Sequence, residues 1–264
     1  MRKGSIAKTI RRTVLALSCI TFLVVTGVFA VEIYMEQKSS ANMKKVQDMA
    51  AVTVAKSNVV LAAESPEEEE NTNLVTLKIE YLSKKNRDLS GWLRIQGTNI
   101  NYPIMYREGD NEYYLNHDFF GNEDRNGLLV LDKRCSKDMS DNHLLIHGHN
   151  MKSGAIFGTL KDYKEEAYLK KHPAIELDTP DEQRFYEVIA VVVTSADGET
   201  GFNYTNYLVL DDKYKYSEFV DLAKARSLHR IPASAGYGDQ LLTLSTCDYT
   251  KKNGRLLVIA KRVG

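Results

Sequence analysis

Apolar residues along the chain fall into stretches of different spacing. From Gly91 onward, eight short runs stand out: GWLRIQ (91–96), NINYPIM (99–105), GLLVLD (127–132), HLLIH (143–147), AIELDT (174–179), RFYEVIAVVVTS (184–195), QLLTLST (240–246) and RLLVIAKR (255–262). They are rich in Val, Ile, Leu and Tyr and bounded by Gly, Asn, Asp or Pro, which predicts strands. Two stretches between them have helical spacing, residues 155–172 and residues 216–228, with Ser217 placed to cap the second. Another helical face, Leu74, Leu77 and Tyr81 with Val75, Ile79 and Leu82, precedes the first run and ends before Gly91. Eight strands with inserted helices predict a mainly β domain closed, or nearly closed, into a barrel, which removes exposed strand edges.

Upstream the pattern changes. Val14 to Val31 carry no charge. At about 1.5 Å rise per residue, such a run is long enough to span a bilayer as a helix. Arg2, Lys3, Lys8, Arg11 and Arg12 precede it, and Glu32 and Glu36 follow. The positive-inside rule then places the N-terminus in the cytoplasm and the rest outside. A cleaved signal peptide is the competing reading, with Val28 and Ala30 at the cleavage site. Residues 36–63 keep partial helical spacing (Met43, Val46, Met49, Ala50), and the acidic run ESPEEEENTN (64–73) reads as a solvated spacer. The expected organisation is a cytoplasmic N-terminus (1–12), a retained transmembrane anchor (13–34), a stalk and linker (35–73) and a folded domain (74–264).

Composition narrows the function. Lys plus Arg equals Asp plus Glu at 35 each, which gives no reason to expect a nucleic acid partner. Of three cysteines, Cys19 lies in the apolar run and Cys135 and Cys247 lie outside it; one disulfide is compatible with that pair, a cysteine-stapled framework is not. Cys247 ends an apolar run, where a scaffold presents reactive groups. It reads either as a small buried side chain or as a nucleophile. Histidine is the usual activating partner. His149, past a glycine at the end of HLLIH, is the better candidate and His147 the runner-up. His143, His172 and His229 read as structural or solvated, and His117 ends no apolar run. Zinc held by His147, His149 and Cys247 is a weaker alternative without a CxxC or HExxH motif, so neither metal nor cofactor is expected. Arg255 opens the last run, eight residues after Cys247. A hairpin would bring it near the cysteine, where it would donate to a carbonyl oxygen that becomes negative.

Together these segments carry a resemblance. TLSTC (243–247) followed by Arg255 fits the TLxTC signature of the sortases, and HGHNM (147–151) fits the segment bearing their histidine, which maps to His149. LSGWLRIQGTNINYPIM (89–105) and DNEYYLNHDFFGNEDRNGLLVLD (110–132) resemble the family's first strand regions. The helix before the cysteine strand favours class B. Position 147 departs from the pattern, with histidine in place of an aromatic residue. The resemblance implies an eight-stranded sortase barrel with an N-terminal helix, and a membrane-anchored cysteine transpeptidase of the Gram-positive cell surface. It would cleave a C-terminal sorting signal of a surface protein after threonine, form a thioester on Cys247 and transfer the acyl group to an amine of a peptidoglycan precursor. His149, Cys247 and Arg255 would be catalytic. Asn111, Leu115, Tyr204 and Ser245 would bind the signal. Hydrolysis of the same bond, polymerisation of pilins and a tethered scaffold without catalysis are the alternatives.

Overall fold

A computed structural model describes residues 3–61, 78–197 and 202–264. Its contacts divide the chain into two units, Met1–Ala41 and Asn42–Gly264. Helix α1 (Lys3–Leu61) runs through the boundary. In the first unit its apolar side chains, among them Val14, Leu17, Phe22, Leu23 and Val25, are exposed, and this helix is long and apolar enough to cross a membrane. The hydroxyls of Thr21 and Thr26 donate to the carbonyls of Leu17 and Phe22, each at 2.9 Å, so these polar groups are satisfied within the helix.

The second unit is built on eight strands: β1 (Leu89–Arg94), β2 (Asn101–Met105), β3 (Leu129–Leu131), β4 (His143–His147), β5 (Ala174–Asp178), β6 (Gln183–Ser195), β7 (Leu241–Cys247) and β8 (Gly254–Arg262). They close into a barrel in the order β1-β2-β3-β4-β7-β8-β6-β5. Every predicted apolar run became a strand. The pairs β2–β3 and β4–β7 are parallel and the others antiparallel. Leu93, Ile104, Leu144, Ile146, Val191, Leu242, Leu244 and Val258 belong to the continuous buried core. Each such side chain contributes about 1.5–3 kcal/mol on leaving water.

A second apolar cluster lies around β1. Val46 and Ala50 of α1 are buried in it with Ile79, Leu82, Trp92, Met105, Tyr114 and Phe119. Asn42 Nδ2 donates to Asp118 Oδ2 at 2.8 Å and Gln47 Nε2 to the Asn101 carbonyl at 2.9 Å. Residues 42–50, within the expected stalk, thus help form the domain's core. The acidic spacer and the start of the expected helix at 74–77 lie outside the described residues; that helix is present over residues 78–83.

The inserted helices differ from expectation. Only Leu160–Lys164, as a 3-10 helix, and α2 (Glu166–Lys171) are helical within 155–172. Ile156 has φ 54° and pairs its backbone with Asn150, and a Cβ on Gly158 would lie 2.3 Å from the Met151 carbonyl. That segment folds back on the chain instead of coiling. Helix α3 (Lys213–Arg226) begins four residues before Ser217, and Asp212 caps it, its Oδ1 accepting from Lys215 N at 2.9 Å.

Candidate active site

Cys247 is the last residue of β7, and across the antiparallel ladder it faces Arg255 near the start of β8. The turn between them closes tightly. Asp248 N donates to the Gly254 carbonyl at 2.9 Å, and a Cβ on Gly254 would lie 2.2 Å from the Asp248 carbonyl oxygen. Only glycine fits there. The Asp248 carboxylate accepts from Thr250 N at 2.9 Å and also binds the Thr250 hydroxyl and Lys164 Nζ. Arg255 Nη1 donates to the Gly254 carbonyl at 3.0 Å.

His149 reaches this corner because β4 runs parallel to β7, with His147 beside Ser245. Beyond the strand, Gly148 N donates to the Ser245 carbonyl at 3.2 Å, the Thr246 hydroxyl to the Gly148 carbonyl at 2.8 Å, and Asn150 Nδ2 to the Cys247 carbonyl at 2.8 Å. These bonds hold the residues on both sides of His149 to the cysteine strand. On the far side, the His149 carbonyl accepts from Phe157 N at 3.0 Å, which is where the folded-back segment acts.

The ring is oriented from a third direction. His149 Nε2 lies 2.9 Å from the Leu115 carbonyl oxygen. A carbonyl only accepts, so Nε2 carries the proton in the neutral ring and Nδ1 is the nitrogen left to exchange one. Leu115 ends the 3-10 turn Tyr113–Leu115, and its side chain packs on the second apolar cluster.

The remaining expected residues divide. Tyr204 and Ser245 are 3% and 2% exposed, and their hydroxyls lie 3.0 Å apart. Burial raises the Tyr204 pKa, and the Ser245 hydrogen bond and the neighbouring Arg255 guanidinium oppose the rise. The pair is buried, with the Arg255 guanidinium close to the Tyr204 hydroxyl. Asn111 Oδ1 accepts from Lys133 N at 2.6 Å and its Nδ2 donates to Asp132 Oδ2 at 3.3 Å.

The other candidates are occupied elsewhere. His147 Nε2 contacts Asp132 Oδ2 at 2.9 Å, and among the described residues no group of three or more His, Cys, Asp or Glu is placed to hold a metal ion. His143 is fully buried, its Nδ1 at 2.7 Å from the Tyr207 carbonyl and its Nε2 at 2.7 Å from the Thr243 hydroxyl. All three cysteines are free, so no disulfide joins Cys135 to Cys247. Burial pushes the Cys135 thiol up to about 12, which leaves it protonated and inert at neutral pH. Sequence reasoning missed Asn150, Gly254 and Asp132. Asn150 adjoins His149 in HGHNM, and Asp132 closes the run GLLVLD, but neither position announces a partner.

Comparison with known proteins adds an independent line. A profile of the sortase domain matches residues 93–263. Sortase B of Listeria monocytogenes serovar 1/2a is 31% identical over 191 residues, covering 70% of this chain and 74% of that protein. Sortase B of Staphylococcus aureus is 27% identical over 254 residues, covering 94% and 95%. Among solved structures, the S. aureus sortase B–substrate complex superposes with a TM-score of 0.73 at 26% identity, over 86% of this chain and 97% of that one. Sortase B from B. anthracis in complex with AAEK1 gives 0.71 at 28%, over 88% and 99%.

Proposed function

This chain belongs to the sortase family, as a class B member with cysteine transpeptidase activity, and from that premise we propose that it is anchored by α1 with its catalytic unit outside the membrane, where it cleaves a C-terminal sorting signal after threonine and joins the threonine to a cell-wall amine. The observation that supports the reading is that Cys247 lies opposite Arg255 in one ladder while Asn150, the residue after His149, donates to the Cys247 carbonyl.

The proposed chemistry uses each group once per half-reaction. The Cys247 thiolate attacks the threonine carbonyl, whose electron pair moves onto oxygen and is stabilised by the Arg255 guanidinium. Collapse breaks the C–N bond, and the leaving amine takes a proton from His149 Nδ1, which leaves a thioester and a neutral ring. The incoming amine attacks the thioester and gives a proton to His149, and Cys247 departs as thiolate. Tyr204 and Ser245 line the groove for the signal beside Arg255. Asn111 and Leu115 border the groove for the signal.

The test uses the full-length chain in detergent with a quenched peptide library carrying threonine at the cleavage position, with and without triglycine. Cleavage with a peptide fragment thioester-linked to Cys247, and a triglycine adduct when the amine is present, is expected. Cleavage to free acid in both conditions would make the protein a hydrolase. No adduct on Cys247 during turnover would remove it as nucleophile. Retention in the membrane pellet after a carbonate wash, at unprocessed mass, tests the anchor; a soluble chain beginning near Val31 would show cleavage instead.

A further inference from the structure

One buried ionic group near the site has no part in the chemistry above. Asp132, just past β3, is 1% exposed, and its carboxylate accepts from five donors. Oδ1 takes Arg134 N at 3.1 Å and Arg134 Nε at 2.8 Å. Oδ2 takes Arg134 Nη2 at 2.9 Å, His147 Nε2 at 2.9 Å and Asn111 Nδ2 at 3.3 Å. A carboxylate offers about four lone-pair sites, so this one is saturated.

A buried ion pair is a poor way to gain stability, because desolvation offsets most of the attraction. The positions of the partners suggest a geometric role instead. Asn111 lies in the segment leading to Leu115, whose carbonyl orients His149. His147 lies two residues before His149 and beside Ser245. Arg134 continues outward, its Nη1 donating to the Thr205 carbonyl at 3.0 Å. Thr205 follows Tyr204 in the 3-10 turn Tyr204–Tyr207, and the Tyr204 hydroxyl returns to Ser245. The Asn111 segment, the end of β4 and the Tyr204 turn therefore meet through one carboxylate.

We propose that Asp132 is a positioning residue for sorting-signal recognition, fixing the Asn111 segment and the Tyr204 turn at a set separation across the groove through Arg134 and His147. This rests on the proposed function, since it takes those two segments as the walls that grip the signal peptide. Asp132 touches neither Cys247, His149 nor Arg255, so its loss acts on binding more than on bond making. His147 serves here as a donor to the carboxylate, which accounts for a histidine at this position without a second acid–base group.

The experiment measures kcat and KM of the full-length chain in detergent, with the library peptide that the parent cleaves best and triglycine as acceptor, and normalises rates to the thiol titratable at Cys247. Asp132→Asn keeps the shape but turns an amide N–H toward groups that donate. KM is expected to rise at least tenfold, with kcat per titrated thiol changing only a few fold. His147→Gln keeps a donor and is expected near the parental KM, whereas His147→Leu should raise it several fold. If Asp132→Asn does not fold, Arg134→Met removes the link to Thr205 together with the two guanidinium bonds to Asp132, and should still raise KM. Combined with Asp132→Asn, where that folds, it should add little, because both cut the same link. A parent chain that cleaves no signal peptide would refute the underlying function. A parent that does, with Asp132→Asn and Arg134→Met both at parental KM, would refute the role of Asp132 alone. A mere structural role would lower the titratable fraction and leave KM where it was.

Discussion

A single methyl group at Gly127 should disable the enzyme from outside the reacting atoms. Gly127 has φ 59°, and a Cβ there would lie 2.3 Å from the Leu115 carbonyl oxygen, 2.5 Å from its carbon and 2.7 Å from the Tyr114 carbonyl oxygen. Real Cβ atoms essentially never come within 3.0 Å of such atoms, so in Gly127→Ala the Leu115 carbonyl must retreat by about 0.7 Å. That carbonyl is the acceptor for His149 Nε2 at 2.9 Å. A displacement of this size turns that bond out of line, and where it falls along the bond lengthens it toward about 3.6 Å, beyond a hydrogen bond. The ring then loses both its orientation and the partner that fixes its tautomer. Misplacement on this scale costs about 100-fold in turnover. Left-handed backbone without glycine adds about 1–2 kcal/mol of destabilisation, which by itself would not touch the chemistry. Gly121→Ala separates the two effects: φ there is 80°, but the nearest atom to a new Cβ is the Tyr113 hydroxyl at 3.5 Å. Both variants should melt a few degrees lower. Only Gly127→Ala should lose kcat per titrated Cys247 thiol. A folded Gly127→Ala enzyme with parental kcat would refute the claim that the Leu115 carbonyl positions His149.

Three further outcomes are expected. A thiol-directed reagent should label Cys247 and spare Cys135 in the folded chain, and Cys247→Ala should abolish turnover with the melting temperature little changed; labelling of Cys135 with turnover retained would reverse the assignment. Arg255→Lys keeps the charge and loses the planar fork of donors, so kcat should fall roughly 100- to 1000-fold with little change in KM, and a near-normal rate would remove the oxyanion role. Burial lowers the pKa of His143 from 6.5 to about 4. As pH falls from 6.5 toward 4 the unfolded chain takes up a proton that the folded chain refuses, so stability should drop by up to about 3 kcal/mol in that window and then level off. Urea unfolding followed through Trp92, the one tryptophan, should show that slope in the parent and lose it in His143→Asn; a slope unchanged by the substitution would mean that other groups titrate there.

What the sequence revealed follows the range of the interactions involved. The eight strands were legible because apolar runs and the turn residues between them are local signals. Cys247 and Arg255 were legible as a pair for the same reason, since a short turn joins their strands. Helix spacing over 155–172 misled because its breaks are tertiary. Ile156 takes φ 54° to pair with Asn150, and Gly158 is pressed against the Met151 carbonyl. Likewise Met43, Val46 and Ala50 showed a helical face, but nothing nearby in sequence showed that it would be buried with Trp92 and Phe119. The bond from Asn150 to Cys247 spans 97 positions, so His149 was legible as a candidate from its place past a strand end and from resemblance, but the link to the cysteine strand was not. Asp132 gathers donors from three segments and left no signature at the end of its run.

Parallel pairing of β4 and β7 leads us to expect binding and chemistry to be separable by substitution. Two parallel neighbours end on the same rim of a barrel, and their connection must be a long crossover. In this chain that crossover holds β5, β6, α3 and the Tyr204 turn. The backbone at His149 and Cys247 is then fixed by short bonds between adjacent strand ends, while the Asn111 segment and the Tyr204 turn arrive from elsewhere and are joined through the side chains of Asp132 and Arg134. Sites placed on strand ends and locked by neighbouring hydrogen bonds hold their geometry better than loops do. Substitutions in the side-chain links, Asp132 and Arg134, should therefore appear chiefly in KM. Substitutions that displace the supports of the strand-end residues, Gly127 behind Leu115 or Asn150 beside His149, should appear chiefly in kcat. A variant of Asn150 that lost peptide affinity but kept its rate per active site would break that division.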